Sequence, residues 1–147
     1  MNKINDPAAP ANNRRFLSYQ YFGAHLNEKG VTFRVWAPNA QGVSVVGDFN
    51  GWNINDHPMK PVSGSHGVWE LFIPELTQGQ LYKYAVRQHD GELAYKADPY
   101  GFYSEVKPKT ASIIWELDGY DWQDDRWCIK RNETDWLKMP INIYEAH

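Results

Sequence analysis

The chain of 147 residues holds a single cysteine, Cys128, which excludes an internal disulfide and a thiolate zinc site. Positive charge is not in excess: 15 Lys and Arg stand against 18 Asp and Glu, for a net charge of −3. A partner held through bulk nucleic-acid phosphate needs a basic face, so no nucleic acid is expected. Apolar runs are short, Val45-Val46 being typical. Nothing approaches the roughly 20 apolar residues of a membrane-spanning helix, so no membrane partner is expected. Met1 to Pro7 shows no basic segment leading into an apolar one. That argues against a signal peptide and makes the cytoplasm the expected compartment. The phosphate-cradling patterns G-x-x-x-x-G-K-[ST] and G-x-G-x-x-G are missing, as is the G-x-S-x-G serine elbow.

What is plentiful is aromatic: seven Trp, nine Tyr and six Phe, 15% of the chain. In an acidic domain with 42% hydrophobic residues, rings in that number fill a β-sheet core, form platforms for flat ligands and sugars, or do both.

From Tyr19 onward, short alternating runs are separated by Gly, Asn, Asp and Pro clusters, the all-β pattern. Thr32 to Trp36 alternates with Phe33 and Val35 on one face, and Pro38 ends the run. Val43 to Phe49 reads as a second strand closing in Asn50-Gly51, a hairpin-turn signal because both residues tolerate positive φ. Val68 to Ile73 is a third, stopped by Pro74, and Leu81 to Arg87 a fourth, with Tyr82, Tyr84 and Val86 on one face. A weaker strand passes through Leu93 and Tyr95, and a last one is expected over Thr110 to Trp115. This spacing predicts an all-β, immunoglobulin-like antiparallel β-sandwich. Trp36 and Trp69, inside strands, are expected in the core or at an interdomain surface.

The expected organisation is a flexible leader over 1–18, the sandwich over 19–115, a connecting segment over 116–140 and a separate start over 141–147. Within the connector, Asp121 to Arg131 places acids first and bases last, matching a helix macrodipole, with Trp127 and Arg131 stacked at i, i+4. Ile141 to Tyr144 has a short buried-strand pattern, and the stop at His147 reads as the end of a fragment.

The histidines at 25, 57, 66, 89 and 147 fall in separate loops or strand ends without ligand spacing, so neither a metal nor a cofactor is expected. A retaining glycosidase needs two carboxylates about 5–5.5 Å apart in a pocket. The acids here sit in turns (Asp48, Asp56, Asp90), in the cluster from Asp118 to Asp125, or on exposed strand positions such as Glu70, and no catalytic pair emerges. A sugar surface is better supported. A pyranose packs its C–H face on an indole while donors and acceptors at the rim meet its hydroxyls. Trp52 lies on a loop beside Asn50 and Asn53, and Lys83 points away from the Tyr82/Tyr84 face. The alternative at this level is that Trp52 folds back to cover the end of the sandwich and Lys83 is a solvated lysine.

The blocks Val43 to Asn53, His57-Pro58-Met59 and Gly67 to Pro74 resemble the family 48 carbohydrate-binding module, in the form found in bacterial 1,4-α-glucan (glycogen) branching enzymes. Gly23-Ala24-His25, Leu81 to Tyr84, Lys96 to Tyr100 and Thr110-Ala111-Ser112 continue that resemblance in order. Trp122, Asp124, Trp127 and Arg131 resemble the segment joining the module to a catalytic domain, and Pro140 to His147 the opening of that domain's (β/α)8 barrel. The resemblance implies an N-terminal, non-catalytic part of a glycoside hydrolase family 13 enzyme of glycogen biosynthesis. It would position α-1,4-glucan (glycogen or maltooligosaccharides), with the missing barrel of the same parent chain as its partner and no cofactor. The family's catalytic carboxylates lie beyond this sequence, so no catalytic residue carries over and the chain alone is expected to be inactive. The carried-over sugar contacts are Trp52 and Lys83. Related modules have a second Trp after an Asp-Gly turn, where this chain has Asp90-Gly91-Glu92-Leu93. Two other parents remain open: a stand-alone glycogen-targeting module, or the same module from a debranching isoamylase or a trehalohydrolase.

Overall fold

The computed structural model of the chain describes residues 15–117, 121–140 and 142–146, and the chain divides after Leu117 into two compact units. In the first unit the strands are β1 (Gly23–Asn27), β2 (Gly30–Trp36), β3 (Gly42–Gly47), β4 (Lys60–Pro61), β5 (Val68–Pro74), β6 (Leu81–Arg87), β7 (Leu93–Lys96), β8 (Tyr103–Ser104) and β9 (Ser112–Ile113). Sheet A runs β1-β2-β5-β4. Sheet B runs β3-β6-β9-β8, with β7 also paired to β6. All pairings are antiparallel, which lets each sheet turn one face to the core and one to solvent. The expected all-β sandwich is the observed fold.

Period-two alternation decides what lies between the sheets. Val31, Phe33 and Val35 of β2 meet Val43 and Val45 of β3 and Tyr82 and Tyr84 of β6 in one buried cluster, closed by Ile73 and Ile114. The Phe33 and Tyr82 rings pack edge to face at 5.1 Å, and Tyr82 and Tyr84 at 5.9 Å, arrangements that suit the ring quadrupoles. The other face of sheet B is built from Ser44 and Val46 of β3, Leu81, Lys83, Ala85 and Arg87 of β6, Tyr95 opposite Ala85, and Ile113 opposite Leu81.

Several sequence expectations are corrected. The flexible leader expected over 1–18 falls mostly on residues 1–14, outside the described residues, and a 3-10 turn occupies Arg15–Gln20. The strand read over Val43 to Phe49 ends at Gly47, because Asp48–Asn50 winds into a 3-10 turn. Asn50-Gly51 is therefore not a two-residue hairpin; the chain returns along β3 only at Ser44 opposite Pro58. Of the two places expected for Trp36, the core is excluded: the inward phase belongs to Val31, Phe33 and Val35, which leaves Trp36 61% exposed with its indole N–H donating to the His66 carbonyl at 3.2 Å. Trp69 does pack against the core, its indole N–H donating to the Ala37 carbonyl at 3.0 Å. The last strand is only Ser112–Ile113.

In the second unit the expected helix is α1 (Asp125–Glu133), and the Arg131 guanidinium lies 4.9 Å from the Trp127 ring centroid. The buried strand expected over 141–144 is not observed: Asn142 to Ala146 is irregular, with Ile143 and Tyr144 91% and 92% exposed. Ile141 and His147 lie outside the described residues.

Candidate functional site

The loop after β3 is anchored by a glycine with no room for a side chain. A Cβ on Gly47 would stand 2.1 Å from the Leu81 carbonyl and 2.5 Å from the Phe49 ring. That close approach lets the chain turn sharply across the start of β6. Asn50 then fixes the turn: its Oδ1 accepts the Gly47 N–H at 3.0 Å, and its Nδ2 donates to the Val45 carbonyl at 3.1 Å and to His57 Nδ1 at 2.9 Å. The Asn50 amide is thus committed to holding the loop. Asn53 is exposed; its Nδ2 donates to Asp56 Oδ1 at 2.7 Å and its Oδ1 accepts the Asn55 N–H at 3.1 Å.

Gly51 and Trp52 follow in the left-handed region, at φ 58° and 61°. Glycine adopts that conformation freely, but for a bulky residue it is an outlier that costs on the order of 1–3 kcal/mol. Two bonds hold Trp52 there. Its backbone N–H donates to the Gly47 carbonyl at 2.9 Å, and its indole N–H donates to Asp48 Oδ1 at 2.8 Å. The indole is half-buried and fixed at both ends, between the free platform and the folded-back lid that the sequence left open.

Lys83 reaches the outer face of sheet B as its alternation requires, opposite Val46. Gly47, the anchor of the Trp52 loop, pairs with Tyr82, the residue before Lys83, so both groups stand at one end of the sheet. Lys83 is half-buried and its Nζ donates to Thr110 Oγ1 at 2.7 Å, which directs one donor and leaves the other ammonium protons for a ligand. A groove of about 420 Å³ lies around the edge of β3, lined by Ser44, Ala85 and Arg87 of the outer face and by Met59 and Trp69 of the core side. Trp52, Asn50 and Asn53 thus share one loop, and Lys83 comes to that loop from β6.

One cluster escaped the sequence reading. Asp98, 8% exposed, accepts at Oδ2 from the Tyr82 hydroxyl at 2.7 Å and the Tyr84 hydroxyl at 3.0 Å, and at Oδ1 from the Tyr100 N–H at 2.8 Å. Its own N–H donates to Ser112 Oγ at 2.9 Å. Burial pushes the Asp98 carboxyl up, against the lowering effect of the hydrogen bonds it accepts. Burial, reinforced by the Asp98 charge, drives both phenols upward too. Both oxygens are occupied, so the chemistry is that of a structural clamp, not of a free acid. The available signal was two phenols on the inward face of one strand, which need a buried acceptor. Glu70, expected as an exposed acid, is paired with Arg34 across β2 and β5. Among the described residues, no group of three or more His, Cys, Asp or Glu side chains converges as a metal site, and no helix is long and apolar enough to cross a membrane.

Residues 21–101 match the model of the family described as carbohydrate-binding module 48 (isoamylase N-terminal domain). The chain is 50% identical over 133 residues to the 1,4-alpha-glucan branching enzyme GlgB of Trichodesmium erythraeum, an alignment covering 88% of this chain and 17% of the relative. The same figures hold for GlgB of Synechocystis sp.. The chain therefore spans about 17% of the length of these curated relatives. Among solved structures it is similar to ligand-free PulA from Klebsiella pneumoniae (TM-score 0.55, 31% identity, 67% of this chain and 10% of that one). It is also similar to the pullulanase from Bacillus acidopullulyticus (TM-score 0.58, 27% identity, 71% of this chain and 13% of that one).

Proposed function

Because the chain belongs to the carbohydrate-binding module 48 family, we propose that it positions α-1,4-glucan as the N-terminal, non-catalytic part of a cytoplasmic 1,4-α-glucan branching enzyme. The 50% identity to branching enzymes over 133 residues supports that parent over a stand-alone targeting module or a debranching one. On this reading 19–115 is the sugar-binding sandwich, 116–140 the connector and 141–147 the beginning of the catalytic barrel, which acts as the partner.

The observation that carries the reading is Trp52. A tryptophan held at positive φ, with its indole N–H tied to Asp48, keeps one ring orientation at a conformational cost that core filling does not require. The roles divide accordingly. Trp52 stacks on the apolar face of a glucose ring, Lys83 donates to hydroxyls, Asn53 meets the rim, and Asn50 positions the loop without touching sugar.

The test is binding of maltoheptaose by the purified chain, measured by calorimetry and by retention on immobilised glycogen. Trp52→Ala should weaken binding by about 1–3 kcal/mol, the scale of a lost aromatic contact. Unchanged retention would place Trp52 in a structural role. Amylose turnover in an iodine-stain assay with this chain alone would overturn the non-catalytic assignment.

A further inference from the structure

Sheet B carries a second aromatic pair that the Trp52 loop does not use. Tyr103 of β8 and Trp115, just past β9, have ring centroids 5.0 Å apart with planes inclined at 50°. They are 52% and 39% exposed. Register places Tyr103 on the face that bears Lys83, and the ring contact brings Trp115 beside it: Tyr103 pairs with Ile113, Ile113 pairs with Leu81, and Leu81 lies two residues before Lys83. Two strand spacings and two residue steps separate Tyr103 from Lys83 by roughly 12 Å, with half-buried Leu81 and Ile113 between them.

We propose that Tyr103 and Trp115 form a second glucan-contact platform, so that one α-1,4-glucan chain runs along the outer face of sheet B from Trp52 and Lys83 across Leu81 and Ile113 to the Tyr103/Trp115 pair. This rests on the glucan-binding reading above and extends it to a longer ligand. The chemistry of the strip fits that occupant. The C–H faces of sugar rings pack on apolar and aromatic surface, and hydroxyls need donors at the edges. Thr110 and Lys83 supply those at one end. At the other, the Gln78 side-chain oxygen accepts the Glu116 N–H at 3.4 Å, which leaves its NH2 group as a donor next to Trp115. Successive rings of an α-1,4-linked chain are rotated relative to one another, and two aromatic planes inclined at 50° meet such a chain better than a flat pair does. A protein strand is the poorer occupant, because β8 at the sheet edge is two residues long and offers too short a ladder.

Maltose, too short to reach both ends, and maltoheptaose are titrated into the full chain while the indole N–H resonances are followed by NMR. The Trp115 resonance should shift with maltoheptaose and stay in place with maltose. Tyr103→Ala should weaken maltoheptaose about three- to tenfold and leave maltose binding unchanged, while Trp115→Phe, which keeps a ring, should retain most of the affinity. If Tyr103→Ala fails to fold, the wild-type resonance decides. Unchanged maltoheptaose affinity in Tyr103→Ala, with Trp52→Ala still weakened, overturns the second platform and leaves the proposed function standing. Absence of any glucan binding by the wild-type chain overturns both. Self-association that disappears in Tyr103→Ala, with glucan binding untouched, overturns the platform in favour of a protein interface.

Discussion

Replacing Asp98 by alanine should be the most damaging single change in the sandwich, and its size follows from the bonds it removes. The Tyr82 and Tyr84 hydroxyls and the Tyr100 N–H all end on this carboxyl, and both tyrosines are buried at 0% and 1% exposure. Each buried donor left without an acceptor costs about 1–3 kcal/mol. A loss of about 3–5 kcal/mol is expected for Asp98→Ala, a large share of the roughly 5–15 kcal/mol available to a domain. Tyr84→Phe removes a donor instead of stranding one and should cost only about 1–2 kcal/mol. In the double variant the stranded hydroxyl no longer exists, so the two losses should fall short of additivity by about 1 kcal/mol or more. Urea unfolding followed by tryptophan fluorescence and near-UV circular dichroism measures all three, with equal m-values as the check on two-state behaviour. An Asp98→Ala chain within 0.5 kcal/mol of wild type, or strictly additive losses, would refute the clamp.

Gly47→Ala should destabilise by about 1–3 kcal/mol or more and shift the Trp52 resonances, since a Cβ there meets the Leu81 carbonyl at 2.1 Å; thermal unfolding together with NMR reads both effects. The His25 imidazole is held below its ordinary value chiefly by burial, while its Nε2–H donates to the Phe22 carbonyl at 2.9 Å. The folded chain then binds fewer protons there than the unfolded one, so the stability that neutral His25 contributes is present above about pH 6.5 and is lost as pH falls through its folded value. Asp98, raised by burial, has the opposite sign: its contribution is present at low pH and is lost as pH rises through its folded value. Urea midpoints for wild type and His25→Gln across the histidine range isolate the imidazole, and parallel pH profiles would contradict its assignment.

Legibility in the sequence followed how local each determinant is. Strands β2 and β6 were readable because period-two alternation within seven residues already separates an inward row from an outward one, and β5 because an apolar run is stopped by Pro74. The same alternation assigns Trp36 outward once Phe33 and Val35 are inward, which removes the core alternative of its expectation. Asn50-Gly51 misled for a different reason. The Asn50 side chain captures Gly47, Val45 and His57, contacts that favour a 3-10 turn over a tight hairpin and that no dipeptide rule contains. Ile143 and Tyr144 look like strand residues, but a strand exists only as part of a ladder, and none forms over Asn142 to Ala146. Of the candidate site, the loop position of Trp52 and the outward placement of Lys83 were legible from turn residues and alternation. The Lys83–Thr110 bond, the Asp98 clamp and the Tyr103–Trp115 pair join residues 27, 14 to 16 and 12 positions apart, which only the folded sheet brings together.

The aromatic surplus divides by sheet face, and that division decides which rings can meet a sugar. Phe33, Tyr82 and Tyr84 are sealed between the sheets, and the tyrosine hydroxyls are consumed by Asp98. The outer face of sheet A does expose Trp36 and Phe72, but they stand opposite Val68 and Thr32 at different points of the sheet, and no ring contact joins them. Of the cations on that face, Arg34 is spent on Glu70 and on the Tyr21 ring, 4.7 Å away, and Lys60 stands opposite Glu70 on the two-residue strand β4 with no paired rings beside it. Sheet B differs in bringing rings and a cation together. Its outer face pairs Tyr103 with Trp115, keeps Lys83 anchored by a neutral hydroxyl so that its charge stays unpaired, and adds Tyr95 opposite the small Ala85. The turn Asp90-Gly91 is followed by Glu92-Leu93 and no ring, so the aromatic area of this face lies in Tyr95, Tyr103 and Trp115. Stacking rings, an unneutralised donor and an apolar floor coincide on sheet B alone among the described faces, which is why a glucan chain is placed there and not on sheet A.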